Sequence, residues 1–369
     1  EVVLFQELER DQSPESLIPG VAEFLDQTQG ISLEQMLTDP QWSGLPSYAF
    51  LLKAMQEAGL EYPYLAVGGD PKAPEEQPAH INALVSRYPI LFNESFETTR
   101  AREVLVVTLD VEGHPLTLVN NHWKSGASDP GTEAIRVENA LTVRRILDFV
   151  MERDPRADLV IAGDLNSYYD QSRLFPGMKT TGINTVLGSQ GDEQAVADGE
   201  KNLYNLWFEI PQGDRYSETW RDRKGTLMNI LIAPGLYDNR GIRYVDNSFE
   251  VLRVPGLNVD QWGRPTRFSF AGEGRGGSDH LPILARFEVM NGDGTEIVEL
   301  VNPGREADQP GEVLFVNYDL EARDDIQISP MAELLEKPEA EWDGYLGELF
   351  RVSGTWGAGD PISIQIGDR

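Results

Sequence analysis

The stretch Leu159-Val160-Ile161-Ala162-Gly163-Asp164-Leu165-Asn166 is the most informative part of this 369-residue chain. Four apolar residues typical of a strand run into a Gly-Asp-Leu-Asn turn. A carboxylate and a carboxamide therefore stand where a rigid sheet can aim them at one point. Gly-Asp-x-Asn is by itself an ordinary Asx turn. It indicates a site only if other strands of the chain end in chemically matching groups.

Three further segments place acidic, amide or imidazole groups beside apolar runs. They are Val2-Val3-Leu4-Phe5-Gln6-Glu7, then Asn120-Asn121-His122-Trp123-Lys124-Ser125 after the strand-like Leu116–Val119, and Ser278-Asp279-His280 before Leu281-Pro282-Ile283. Phosphoester hydrolysis needs a carboxylate that holds a hard cation against the phosphate, groups that move protons, and donors to the phosphoryl oxygens. The four segments together supply all three kinds of group.

The order of these segments and the residues in them resemble the motifs of the endonuclease/exonuclease/phosphatase family, which includes deoxyribonuclease I-like nucleases and neutral sphingomyelinases. Ser86-Arg87-Tyr88-Pro89-Ile90 adds a fifth segment that is similar to the family's Ser-Arg-Tyr-Pro. The histidine segment around His122 resembles that of the secreted bacterial members. The resemblance spans roughly residues 1–288.

The resemblance implies a metal site and a proton-transfer pair. Glu7 would be the principal Mg²⁺ ligand, with Mn²⁺ or Ca²⁺ as possible replacements, and Asp279 would lie beside the metal and its water. His280 would be the general base and His122 the general acid or a donor to the phosphate. The chemistry agrees, because Mg²⁺ needs few carboxylates and keeps several waters, and two histidines supply acid and base near neutral pH.

The resemblance also implies contacts to the substrate. Asp164 would orient the attacking water, and Asn166 would donate to a phosphoryl oxygen. Arg102, Asn121 and Lys124 lie near the motifs in the chain, and we predict that they bind the substrate. The remaining histidines, His80 and His114, carry no motif, and we interpret both as surface residues.

Two departures from the family pattern are visible. The family opens with an Asn-bearing strand well before the Gln-Glu, whereas this chain starts six residues before Glu7. Either the chain is a fragment, or another segment such as Val313-Leu314-Phe315-Val316-Asn317-Tyr318 fills that place by circular permutation. In addition, Met228 stands where the family has an Asp that orients the catalytic histidine. A thioether cannot fix an imidazole tautomer, so His280 needs another partner, and a one-residue shift toward Asn229 would turn that side chain to the other face.

Composition restricts the substrate and the compartment. The net charge of −30 disfavours tight, nonspecific binding to DNA, so local cations and the bound metal must overcome the repulsion. Absence of cysteine excludes disulfides and thiolate metal sites. We expect an extracellular or periplasmic bacterial protein, although no signal peptide is visible. The local cations near the motifs are Arg87, Arg100, Arg102, Lys124, Arg223, Lys224, Arg264, Arg267 and Arg275.

Strand-like runs alternate with two helical patterns, at Pro46–Ala58 and Thr132–Glu152, which predicts an α/β (α+β layered) fold. The resemblance sharpens this to a four-layer, deoxyribonuclease I-like β-sandwich flanked by helices. We predict a catalytic domain at residues 1–289, a linker at 290–311 and a small β-rich module at 312–369. The module's pattern resembles an oligonucleotide-binding (OB) fold, with a purely structural β module as the alternative.

The leading hypothesis is a Mg²⁺-dependent phosphodiesterase, an extracellular endonuclease that acts on DNA or RNA. One alternative is a hydrolase of phospholipids such as sphingomyelin, or of small phosphoesters. A bilayer-active enzyme would need an apolar loop beside the site, for which Leu203–Ile210 is the candidate. The other alternative is a family member that binds without turnover.

Overall fold

The computed structural model describes residues 1–9, 20–69, 80–199, 203–238, 240–266, 276–290, 296–301, 310–316, 319–320, 326–330, 349–355 and 361–367. The chain separates into two compact units. The first comprises Glu1–Asp238 and Ile242–Val289, and the second comprises Asn239–Gly241 and Met290–Arg369. Within the described residues no helix is long and apolar enough to cross a bilayer.

The first unit contains both α-helices and strands. The helices are α1 (Val21–Gln27), α2 (Leu33–Thr38), α3 (Ser47–Glu57), α4 (Pro130–Arg153), α5 (Gln171–Leu174) and α6 (Glu193–Ala197). The strands are β1 (Val2–Glu9), β2 (Tyr64–Val67), β3 (His80–Ser86), β4 (Ile90–Phe96), β5 (Val104–Val111), β6 (His114–His122), β7 (Leu159–Asp164), β8 (Ser189–Gln190), β9 (Leu203–Asn205), β10 (Glu218–Trp220), β11 (Arg223–Gly225), β12 (Met228–Ile232), β13 (Ile242–Tyr244), β14 (Glu250–Val251), β15 (Ile283–Leu284) and β16 (Phe287–Val289).

Two main sheets organise these strands. An antiparallel sheet has the order β1-β3-β2, and a mixed seven-stranded sheet has the order β4-β5-β6-β7-β12-β9-β8. Within the larger sheet β6 and β7 run parallel, as do β8 and β9. The pairs β10-β11, β13-β16 and β14-β15 form three small two-stranded sheets.

Three apolar clusters hold the layers together, and together they define the four-layer α/β sandwich that the sequence predicted. The first buries residues of both sheets, such as Leu84 and Leu105, and therefore lies between them. The second joins the other face of the large sheet to α4, through residues such as Val106 and Val143. The third packs α1 to α3 on the small sheet, with Phe24 against Val85. Period-two alternation along each strand produces these separate faces.

A buried ion pair in α4 fixes the loop that follows β6. The helix begins after Asp129, which caps it by accepting from the Gly131 N–H. Arg136, fully buried, binds the Glu133 carboxylate at 2.6 Å. Its remaining N–H groups donate to the Lys124 and Ala127 carbonyls. Because a buried charge is stable only when it is paired and hydrogen-bonded, this network holds the loop in one position.

The predicted helices are confirmed as α3 and α4. The apolar run Ile283–Phe287 predicts one continuous strand, and this prediction is wrong in detail, because the run divides into β15 and β16, which pair with β14 and β13 respectively. The two halves lie in different small sheets. The apolar residues of the run do not indicate this division.

In the described residues of the second unit the regular elements are strands. They are β17 (Glu296–Val301), β18 (Pro310–Val316), β19 (Asp319–Leu320), β20 (Ile326–Pro330), β21 (Leu349–Thr355) and β22 (Pro361–Gly367), in two antiparallel sheets of order β17-β22-β19 and β18-β21-β20. Residues Glu296–Val301, inside the predicted linker, form β17, in agreement with the strand that the apolar run Ile297–Val301 predicts. Among the described residues β18 pairs with β21 alone, so the pairing does not support the circular permutation. The OB-like fold remains a prediction.

Asp158, which precedes β7, makes the fold sensitive to pH. Its carboxylate accepts from the Ile242 N–H at 2.8 Å. Burial, reinforced by Asp238 and Asp154, raises the pKa of Asp158 to about 8. In an unfolded chain the pKa of an Asp side chain is about 4. The folded chain therefore keeps a proton that the unfolded chain loses between about pH 4 and pH 8, and this carboxyl lowers the free energy of unfolding as pH rises through that range.

We predict that Asp158→Asn leaves the free energy of unfolding almost unchanged at pH 4 and raises it at pH 8 by on the order of 1–3 kcal/mol, a value discounted for partial solvent contact. The amide oxygen still accepts from Ile242, but it carries no charge. Urea unfolding of both proteins at the two pH values measures the difference. An equal difference at both would show that the pKa of Asp158 is not raised by folding.

Candidate active site

The parallel pairing of β6 and β7 brings the first two catalytic candidates together. His122 and Asp164 end these strands and are partners in the register. The Nε2 of His122 lies 3.7 Å from Oδ2 of Asp164. Gly163 makes this approach possible, since its φ is +124° and a Cβ there would lie 2.1 Å from the Asn121 carbonyl oxygen.

Glu7 reaches the same point from the other main sheet. The pairing of β1 with β3 is interrupted between Phe5 and Leu8, and Glu7 has a φ of +58°. A bulge with a left-handed residue re-aims its side chain, and such strain is typical of functional sites. The Glu7 carboxylate lies 3.8 Å from Nε2 of His122. The neighbouring Gln6 donates to Asn120 at 2.7 Å, which ties this end of β1 to β6.

His280 completes the group from a loop. Its Nε2 lies 3.9 Å from Asp164 Oδ2 and 3.9 Å from Asp279 Oδ1. The Ser278 hydroxyl accepts from the His280 N–H, and the Leu281 N–H donates to the Ser217 carbonyl. The structure therefore brings Glu7, His122, Asp164 and His280 together, with Asp279 at the solvent-facing side.

Asn166 lies in the same turn as Asp164 but is already engaged. Its φ is +46°, and its N–H donates to Asp164 Oδ1 at 2.9 Å. Both hydrogens of its side-chain amide are directed at protein acceptors, the Trp123 carbonyl and Asp164 Oδ2, each at 3.1 Å. In this arrangement Asn166 positions the Asp164 carboxylate. The phosphoryl contact that the resemblance implies would require one of these bonds to open.

The three predicted substrate-binding residues occupy different positions. Arg102 lies beside His122, since its charge acts on that imidazole and its backbone N–H donates to the His122 carbonyl. Its Nε is buried without a hydrogen-bond partner, which leaves a donor for an anion. Lys124 follows in the loop that Arg136 fixes. Asn121, in contrast, is fully buried, and its amide binds Val119, Ala162 and Trp123. That position suits support of β6 rather than contact with substrate.

Electrostatics separates the roles of the titratable groups. Burial lowers the pKa of His122 to about 4, against the opposing effect of Glu7 and with further lowering from Arg102, His280 and the exposed His80. An imidazole that is neutral at neutral pH keeps one N–H donor, which suits the predicted phosphate-donor role of His122 better than the role of general acid. Burial raises the pKa of Asp164 to about 7, and the charges of Glu7 and Asp279 add to it.

Glu218 is the partner of His280 that sequence reasoning missed. Its Oε2 lies 3.7 Å from Nδ1 of His280, and that nitrogen is buried without a hydrogen-bond partner. The carboxylate is held by the Ser217 hydroxyl at 2.5 Å and the Leu227 N–H at 3.2 Å. Burial raises the pKa of Glu218 to about 7. The only signal in the sequence was an acid in the short run Tyr216–Trp220, which carries no family motif.

The register of β12 explains why Met228 and Asn229 do not take this role. Met228 lies opposite Asp164 without a one-residue shift. Asn229 is fully buried on the other face, where its amide donates to the Ser167, Thr226 and Leu227 carbonyls. Asn229 therefore supports the turn after Asp164, and Glu218 approaches His280 from β10 instead.

The donor set suits a hard divalent cation. Glu7 and Asp279 offer exposed carboxylate oxygens beside a concentration of negative charge that raises the pKa of Asp164. Few carboxylates with room for water are what Mg²⁺ prefers. Among the described residues, the one compact trio of possible ligands lies elsewhere, at Glu193, Glu209 and Asp246, whose ligand atoms fall within 4.8 Å of one another. The motif carboxylates are spaced more widely, consistent with ligation completed by water and phosphate.

A model of the Endonuclease/Exonuclease/phosphatase family matches residues 81–289, and the chain belongs to that family.

The comparisons with individual proteins are more distant. The chain is similar to TDP2 of D. rerio, solved with a single-strand DNA product, at 14% identity over 78% of this chain and 85% of that one, with a TM-score of 0.43. It is similar to sphingomyelinase C of Streptomyces griseocarneus at 18% identity over 70% of this chain and 91% of that one, with a TM-score of 0.40. A curated relative, mitochondrial fumarate hydratase 1 of Leishmania major, is 28% identical over 171 residues, which are 43% of this chain and 30% of that protein.

We predict that His122→Ala and His280→Ala each lower kcat by on the order of 10² to 10⁴, the usual value of a positioned proton-transfer group. His114→Ala is the matched control, because His114 begins β6 at the end remote from the site. Steady-state kinetics on a generic phosphodiester measures the three effects. Losses of equal size for all three would contradict the assignment.

We predict that Glu218→Gln lowers kcat about 10- to 100-fold with little change in KM, because a neutral amide of the same size cannot stabilise charge on His280. Adding Met228→Asp should recover part of that loss, since Met228 occupies the position from which the family orients its histidine. Melting temperatures of both variants exclude loss of folding as the cause. An unchanged kcat for Glu218→Gln would show that His280 does not depend on Glu218.

Proposed function

We propose that the chain is a Mg²⁺-dependent nuclease that hydrolyses internal phosphodiester bonds of DNA or RNA. The observation that carries this proposal is the convergence of Glu7, Asp164, His122 and His280 from two sheets and a loop, with neighbouring atoms 3.7 to 3.9 Å apart. Carboxylates and two imidazoles in one group supply the metal ligands and the proton-transfer groups that hydrolysis of a phosphodiester needs.

The proton transfers follow from the partners of each group. His280, supported by Glu218 at Nδ1, accepts the proton of the attacking water at Nε2. Asp164 lies within 3.9 Å of both imidazoles and orients that water. His122 and Arg102 donate to the phosphoryl oxygens, where negative charge increases in the transition state.

Glu7 and Asp279 would hold the Mg²⁺ ion. When bound, the ion supplies positive charge that stabilises the phosphoryl oxygens and the leaving group. The exposure of both carboxylates, each 58%, leaves room for water ligands.

The alternative function, hydrolysis of phospholipids in a bilayer, requires an exposed apolar loop, and the predicted loop is buried. Within Leu203–Ile210, the side chains of Leu203, Tyr204, Leu206 and Trp207 are buried in the core. That run therefore stabilises the sheet and does not face a membrane. Binding without turnover is likewise disfavoured, since Glu218 stands in for the missing Asp.

We also propose that the protein acts outside the cytoplasm. Its support is the high negative charge, together with the resemblance of the His122 segment to secreted members. Activity assayed separately in culture medium, periplasm and cytosol of the source cells tests this placement. Activity confined to the cytosol would contradict it.

We predict that Glu7→Gln removes most Mg²⁺-dependent nicking of supercoiled plasmid while leaving the melting temperature within a few degrees, because a neutral amide cannot balance a divalent cation. Agarose electrophoresis of plasmid with Mg²⁺ and with EDTA follows the reaction. Glu23→Gln, on the exposed side of α1, is the matched control. Nicking within a few-fold of the unchanged protein would exclude Glu7 as a ligand.

A further inference from the structure

A solvent-exposed aromatic surface lies beside the candidate active site. Trp220 is 62% exposed at the end of β10, and Leu257 and Trp262 are each 68% exposed in the segment 252–264. Large rings normally bury most of their area, so such exposure marks an interaction site. We call residues 220–224 and 252–264 together the aromatic–basic surface.

This surface is continuous with the catalytic group. Glu218 begins β10 and forms a bridge with His280. Trp220 is two residues further along the strand, so it points to the same side as Glu218 at a distance of about 7 Å. On the other part of the surface, the Leu252 N–H donates to the carbonyl of Pro282, two residues after His280.

Specific contacts join the two parts of the surface. The strands β10 and β11 form a hairpin. Arg264 pairs with Asp222 at the tip of this hairpin, with 3.3 Å between Nη1 and Oδ1. The Tyr216 hydroxyl donates to the Gly263 carbonyl at 2.9 Å, and Arg253 donates to the Tyr216 carbonyl at 3.0 Å. The hairpin and the segment 252–264 therefore form one surface.

The charge of this surface is opposite to that of the whole chain. It contains two carboxylates, Asp222 and Asp260, and five cations, Arg221, Arg223, Lys224, Arg253 and Arg264. The chain as a whole carries −30. Four of the cations lie over rings: Arg221 over Trp220 at 5.7 Å and Arg264 over Trp262 at 4.6 Å, with Lys224 and Arg253 over Tyr216 at 4.4 and 4.1 Å.

We propose that the aromatic–basic surface binds a single-stranded nucleic acid that leads away from the scissile phosphate, with bases stacked on Trp220 and Trp262 and phosphates near the five cations. Exposed rings interleaved with arginines are the features that bind unpaired bases without sequence preference. In a duplex the base faces are stacked on one another, so the rings select single strands. The proposal rests on the proposed nuclease function and specifies the form of its substrate.

The hairpin tip argues against a bilayer as the occupant. The tip residues Arg221 and Asp222 have φ values of +48° and +61°, which define a tight two-residue turn between β10 and β11. Trp220 could enter a bilayer only if these two charges entered with it, at a high cost. A nucleic acid, in contrast, leaves both charges in water.

The test is the affinity of the whole chain for a fluorescein-labelled oligothymidylate, measured by anisotropy with EDTA present to stop turnover. Trp220→Ala and Trp262→Ala should each raise Kd about 5- to 150-fold, while Trp220→Phe keeps a ring and retains most of the affinity. Arg223→Ser should reduce the slope of log Kd against log salt by about 0.7. Thermal melting confirms that each variant is folded.

Phe149→Ala is the matched control. Phe149 is 57% exposed and carries Arg153 over its ring at 3.4 Å, yet it lies in the last turns of α4. We expect no change in Kd for this variant.

Three outcomes would overturn the proposal. They are an unchanged Kd in both folded Trp→Ala variants, an equal rise for Phe149→Ala, and binding of the unchanged protein to anionic phosphatidylserine vesicles that is lost in the Trp→Ala variants while oligothymidylate binding is kept. Turnover of methyl 4-nitrophenyl phosphate by the unchanged protein with Mg²⁺ tests the hydrolytic function separately. Turnover without oligonucleotide binding would therefore refute the surface alone.

Discussion

The parallel pairing of β6 with β7 is the interaction on which the rest of the site depends. It sets His122 beside Asp164, and it is possible only because Gly163 has no Cβ to meet the Asn121 carbonyl. Both strands are fully buried along most of their length, and the Glu133–Arg136 pair fixes the loop beyond them. Once these two side chains are placed, β1 needs one bulge to bring Glu7 to them, and a loop brings His280.

Sequence predicted the groups that end strands, because a strand end constrains both the position and the direction of its side chain. The apolar runs before Glu7, His122 and Asp164 are long enough to identify as strands, and the helix patterns of α3 and α4 are strongly periodic. The layered architecture followed from these elements.

Functional groups that reach the site through tertiary contacts could not be predicted from a local sequence pattern. Glu218 belongs to a three-residue strand, and its link to His280 is a single bridge between residues 62 positions apart. Asn121 and Asn166 carry the right chemistry, but the structure directs their amides to protein carbonyls. A sequence shows which donors exist, whereas the fold determines which of them remain available to a substrate.

The central claim is that four separate segments form one metal-dependent hydrolytic site. Anomalous diffraction from crystals soaked in Mn²⁺ tests it most directly, since the ion is itself the scatterer. The account predicts a peak against the Glu7 carboxylate on the side of Asp279 and His280. A peak at Glu193, Glu209 and Asp246 with none beside Glu7 would contradict it.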